Sequence, residues 1–175
     1  MHIIFLTKYD NLAASSRLRA YQYQNKIDLP TYEVDVQPLL SNRYLEKKFN
    51  NKPVGFFYLL YFFFRRLFFL FGINRYDVIV IHIELFPFVP PIFEWFLFRS
   101  KRKIYLDYDD AIFHTYDLSE NIFIQKILSK KIKYLMKESD GVICGNKYIE
   151  KYAHNSGAKN TLILPTVIDI EKYTI

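Results

Sequence analysis

Three carboxylates fall within four residues in Asp107-Tyr108-Asp109-Asp110, directly behind the apolar run Lys103–Leu106. Like charges at that spacing repel one another, so folding alone is a poor reason to keep them together. Such carboxylates can take a proton from a substrate hydroxyl. Asp107 and Asp109 also have the Asp-x-Asp spacing that can hold a divalent ion, but so short a motif assigns no metal here. A structural reading stands beside these, with the aspartates capping a turn or the helix expected near Ala111. His114 follows at the same place, where a neutral imidazole near a carboxylate could assist proton movement or donate to a substrate hydroxyl. His82 and Glu84, at the end of the run Val78–Ile83, have a weaker claim, while His2 and His154 read as structural or solvent-facing.

A second set of polar groups follows the first apolar run. The stretch Thr7–Arg19 contains no glycine, whereas a dinucleotide fingerprint needs glycines so that backbone can approach a pyrophosphate. Bound NAD or FAD is therefore disfavoured. Ser15 or Ser16 can cap the next helix, and Arg17 in its first turn, with Arg19 beyond, would suit a phosphate. Equally, Arg17 and Arg19 could be solvated surface charges. Gly145 ends another apolar run and Asn146 is a good N-cap for a helix beginning at Lys147. The chain has no Gly-x-Ser-x-Gly elbow, His-Glu-x-x-His pair or Walker loop, which removes serine hydrolase, zincin and P-loop chemistry.

These groups need a scaffold that brings the ends of several apolar runs together. Six such runs occur, at Ile3–Leu6, Tyr32–Val36, Val78–Ile83, Lys103–Leu106, Gly141–Cys144 and Thr161–Leu164. Stretches of helical spacing separate most of them, near Ser15–Lys26, Tyr44–Phe71 (as one helix or two), Pro91–Arg99, Glu120–Glu138 and Lys147–Ser156. Alternation of this kind predicts an α/β fold: a single Rossmann-like, doubly wound domain whose mainly parallel sheet of six strands is flanked by helices. The 175 residues, 51% of them hydrophobic, suffice for one such core. In an open parallel sheet ligands bind beyond the carboxyl ends of the strands, where all the groups above would lie.

Other features bound the setting. A single cysteine, Cys144, allows no disulfide framework. The first residues read as a strand rather than a leader, so a cytoplasmic location is expected. The net charge of +6 and pI near 9.2 favour anionic partners. The basic residues are dispersed and no nucleic-acid reader motif occurs, so nucleic acid is not expected among them.

The segment Phe56–Phe71, FFYLLYFFFRRLFFLF, is the most unusual. As a helix it is about 24 Å long, short for a bilayer crossing, and each arginine at a membrane centre would cost about 2.5–3.5 kcal/mol. Docking on a membrane surface is expected instead. Phe62, Phe63, Phe68 and Phe69 would sit at the acyl boundary and Arg65 and Arg66 on anionic headgroups, helped by Lys47, Lys48 and Lys52. The alternative is a core helix whose arginines reach outward.

Taken in order, Ser15-Ser16-Arg17-Leu18-Arg19, Tyr76–Val80 leading to Glu84, Tyr105–Ile112, Gly145–Tyr148 and Leu164–Asp169 resemble the family 4 glycosyltransferases of the two-Rossmann-domain type. The resemblance implies an N-terminal, acceptor-side domain over residues 1–165, with 166–175 starting a linker to an absent donor-binding domain. In that family a sugar moves from a nucleotide-sugar donor to a glycan acceptor, often lipid-linked, in surface polysaccharide synthesis. The resemblance further implies retention of configuration, no metal or other cofactor, and a peripheral position on the inner face of the plasma membrane. Carried over by position, it places Asp109, Asp110 and His114 at the acceptor hydroxyl as catalytic groups. It places Ser16, Arg17, Arg19, Glu84, Asp107 and Asn146 in acceptor binding. The glycine-free first loop departs from many relatives. The competing expectation is a non-catalytic membrane-docking or scaffold module with a Rossmann body.

Overall fold

A computed structural model describes residues 1–24 and 31–168. Its centre is a parallel sheet of six strands in the order β2-β1-β3-β4-β5-β6. The strands are β1 His2–Tyr9, β2 Glu33–Leu40, β3 Val78–His82, β4 Lys103–Tyr108, β5 Gly141–Cys144 and β6 Thr161–Ile163. Strand order reverses at β1, so the switch point lies between β1 and β3. The expected fold is present, with every sequence run becoming one strand. The start of the expected linker lies partly outside the described residues, at 169–175, as do residues 25 and 26 of the first helical stretch.

Helical segments fill each connection. Residues 14–24 form α1 (Ala14–Ser16), a π-helical turn (Arg17–Tyr21) and α2 (Gln22–Gln24). After β2 come α3 (Asn42–Phe49) and α4 (Phe56–Phe71), and after β3 comes α5 (Ile92–Phe98). Between β4 and β5 lie α6 (His114–Asp117), α7 (Ile122–Leu128) and α8 (Lys131–Glu138), and α9 (Lys147–Asn155) precedes β6. Right-handed crossovers explain which face each covers. The step from β1 to β2 runs opposite to all the others, which puts residues 14–24 on one face and α4, α5, α8 and α9 on the other.

The two faces are packed unequally. Alternate residues Ile4, Leu6, Ile79, Ile81, Leu106 and Val142 join one buried cluster with Phe62, Leu97, Leu135 and Ile149 from those later helices. Each fully buried side chain of this kind contributes roughly 1.5–3 kcal/mol. Their strand neighbours Ile3, Phe5, Tyr105 and Ile143 point the other way and stay half-buried.

Helix α4 corrects both sequence readings of its arginines. Arg66 is fully buried and donates to the carbonyls of Thr7 and Gln37, each at 2.8 Å. Arg65 donates to the carbonyl of Pro38 at 2.6 Å. Both point into the sheet, where they serve carbonyls near the ends of β1 and edge strand β2. Burial, then Arg65, pushes the Arg66 pKa down to about 9, which still leaves it charged at neutral pH. Phe62 is buried and Phe63 and Phe69 pack against the core. Of the six α4 residues expected on a membrane, Phe68 alone is largely exposed. Among the described residues no helix is long and apolar enough to cross a bilayer.

Candidate functional site

The carboxyl ends of β1, β3, β4 and β5 carry the predicted groups, but the fold divides them into a buried set and an open set. Asp107 belongs to the first. Strand alternation turns it toward residues 14–24, where it is 2% exposed. Its Oδ2 accepts from Arg19 Nε at 3.1 Å and meets His82 Nδ1 at 3.2 Å, while Arg19 Nη2 donates to Oδ1. Burial alone would raise the Asp107 pKa, but the hydrogen bonds from His82 and Arg19 outweigh it and hold the carboxyl below its ordinary value. Arg19 is itself buried and also donates to the carbonyl of Leu164. Arg19 and Asp107 are therefore committed to each other inside the domain, not offered to an acceptor.

Glu84 is corrected for the same reason. It is 3% exposed and its Oε1 accepts from Lys131 Nζ at 2.8 Å and from the Tyr116 hydroxyl at 2.5 Å. Lys131, fully enclosed, donates also to the carbonyl of Phe86. Sequence reasoning missed Lys131, although it sits on the buried stripe Lys131, Ile132, Leu135 and Met136, where a cation needs a partner.

Ser16 does not cap its helix. The N-cap is Ala13, and the Ser16 hydroxyl is buried with no hydrogen-bond partner among the described residues. Arg17 is half-buried and folds back on its own loop, donating to the carbonyls of Asn11 (3.1 Å) and Leu12 (3.4 Å). Asn146 caps α9 as expected, with Oδ1 accepting from the Ile149 amide at 3.0 Å, and its residue is exposed.

The open set gathers where β4 and β5 end. Asp110 is exposed, and Asp109 is half-buried with Oδ1 lacking a partner among the described residues. A Cβ added at Gly145 would come within 2.9 Å of the Asp109 Cα, so the β5 end lies hard against this aspartate. His114 opens α6 a few residues on, held by Asp117 Oδ1 on Nδ1 (2.9 Å) and the Tyr148 hydroxyl on Nε2 (2.7 Å). Its side chain keeps 37% of its surface in solvent. Tyr148, from α9, was not foreseen. Helical spacing after the Asn146 cap puts it in the first turn, at the same rim. On the other side of the switch point, burial pulls the Lys8 ammonium pKa down while Glu84 opposes it.

This rim offers carboxylates, an oriented imidazole and an amide to a ligand beyond the strand ends. Asp107, being tied to Arg19 and His82, is not presented jointly with Asp109. Among the described residues no group of three or more His, Cys, Asp or Glu side chains is arranged to hold a metal ion. No protein-family model and no curated protein sequence matches the chain.

Proposed function

We propose that this chain is the acceptor-side domain of a glycosyltransferase that moves a sugar from a nucleotide-sugar donor to a glycan acceptor. One observation carries the reading. Of the clustered aspartates at the carboxyl edge of a parallel sheet, Asp107 is neutralised inside, while half-buried Asp109 keeps Oδ1 without a partner among the described residues and Asp110 is exposed. Unpaired carboxylates beyond the carboxyl ends of parallel strands support ligand binding on this edge. Asp109 would accept the proton of the acceptor hydroxyl as its oxygen bonds to the anomeric carbon and the nucleoside diphosphate departs. Asp110 and His114 would hydrogen-bond the acceptor sugar. The donor, and with it any completed cleft, is the work of a second domain.

Binding of a polyprenyl-phosphate glycan, followed by isothermal titration, tests the acceptor role. Replacing Asp110 and His114 together (Asp110→Asn, His114→Ala) should weaken it about ten-fold or more, as expected for lost hydrogen bonds to a ligand. Undiminished binding would remove both from the acceptor site. A non-catalytic docking module is the second reading, favoured by the apolar surface described next.

A further inference from the structure

Helix α4 leaves in water a stripe of rings that its buried side does not account for. Phe57, Tyr61, Phe64, Phe68 and Phe71 follow at helical spacing and are between 50% and 82% exposed. On α5, Ile92, Trp95 and Phe96 are exposed as well. Surface grooves join the two helices: Phe64 shares one with Phe93, and Phe71 shares another, of about 420 Å³, with Phe93 and Phe96. A third, of about 790 Å³, runs from Ile92, Trp95 and Phe96 to Tyr134 on α8. Monomeric soluble domains rarely expose so continuous an apolar face.

A cation is stacked on this face. The Arg99 guanidinium lies 3.3 Å from the Trp95 ring centre, whereas Lys47 Nζ, 4.9 Å from the ring centre of Tyr58, and Arg75, 5.6 Å from that of Phe69, lie against rings that pack on the core. Lys101 is exposed just beyond the end of α5, and Lys48 on α3 and Lys52 behind it are exposed ahead of α4. One carboxylate, Glu138, shares the α5–α8 groove.

We propose that this α4–α5 face docks on an anionic lipid bilayer, with both helices lying in the interface. The rings would enter the acyl boundary while Arg99 and Lys101 meet lipid phosphates. The surface differs from the one expected from sequence: Arg65, Arg66 and Phe62 face the sheet, and the opposite side of α4 joins α5 instead. A second copy of the chain is a poor occupant, since it would bring the same cations face to face. The inference stands whether or not the domain handles a glycan.

Trp95, the only tryptophan of the chain, reports directly on this face. With phosphatidylcholine vesicles containing phosphatidylglycerol, Trp95 emission should move to the blue, and the protein should co-sediment in a manner weakened by salt. Phosphatidylcholine alone should bind far less. Phe64→Ser with Phe68→Ser should weaken binding about a hundred-fold or more, with an unchanged circular dichroism spectrum since both rings are exposed. Arg99→Gln should weaken it about five-fold and reduce the salt dependence. Absence of binding to the anionic vesicles, or binding that ignores these substitutions, overturns the proposal. So does an intact Trp95 shift caused by self-association without lipid, which would make the face an interface between copies.

Discussion

Gly145 lies directly against the Asp109 backbone across neighbouring strand ends, with the Gly145 amide donating to the carbonyl of Tyr108 at 2.7 Å. A side chain at residue 145 would collide with the Asp109 Cα and carbonyl rather than with a flexible group. Gly145→Ala should therefore displace Asp109 and cost roughly 1–3 kcal/mol. Thermal unfolding measures the cost. If Asp109 is catalytic, transfer per folded molecule should fall as well.

The Arg19–Asp107 pair should matter to stability rather than to chemistry. Removing one partner leaves a buried charge uncompensated, so Arg19→Ala or Asp107→Asn should each cost roughly 3–5 kcal/mol in urea unfolding. The Asp107 pKa is depressed in the folded state, so its contribution is present above the unfolded pKa and is lost as pH falls through the folded one. Wild type should lose stability in acid below about pH 4, and Asp107→Asn should flatten that limb.

Glu94 makes the opposite contribution. It is 0% exposed, and both carboxylate oxygens lack partners among the described residues, since nearby Lys131 already serves Glu84. Burial pushes its pKa up from 4.5 to about 7. A raised carboxyl pKa means that the folded state holds a proton the unfolded state has lost, so stability falls as pH rises from about 4.5 through about 7 and stays lost above. Glu94→Gln should remove that slope and gain on the order of 3 kcal/mol at pH 8. Equal pH slopes in the two proteins would show that Glu94 is ionised and paired in solution.

Asn146 holds the first turn of α9, which carries Tyr148 to His114. Asn146→Ala should cost about 1 kcal/mol, read as a lower Tm, whereas Asn146→Asp should keep the cap.

The scaffold was legible because buried parallel strands announce themselves as short Ile- and Val-rich runs, and each run here became one strand. The Asn146 cap was legible for a similar local reason. What each polar group does was not, because that depends on partners far along the chain. Asp107 meets Arg19 across 88 residues and Glu84 meets Lys131 across 47. A list of charged residues at strand ends cannot tell a satisfied interior pair from an open site. Arg65 and Arg66 misled in the same way, since the carbonyls they serve belong to β1 and β2. The exposed side of α4 became readable only once its buried side was known.

Sugar transfer by the protein from its native host, measured with Asp109→Asn beside wild type, tests the central claim most directly. Loss of a general base should lower the rate about 10²–10⁴-fold while circular dichroism and vesicle binding stay as in wild type. A folded Asp109→Asn protein that transfers sugar at the wild-type rate would contradict the assignment of this rim as the reaction site.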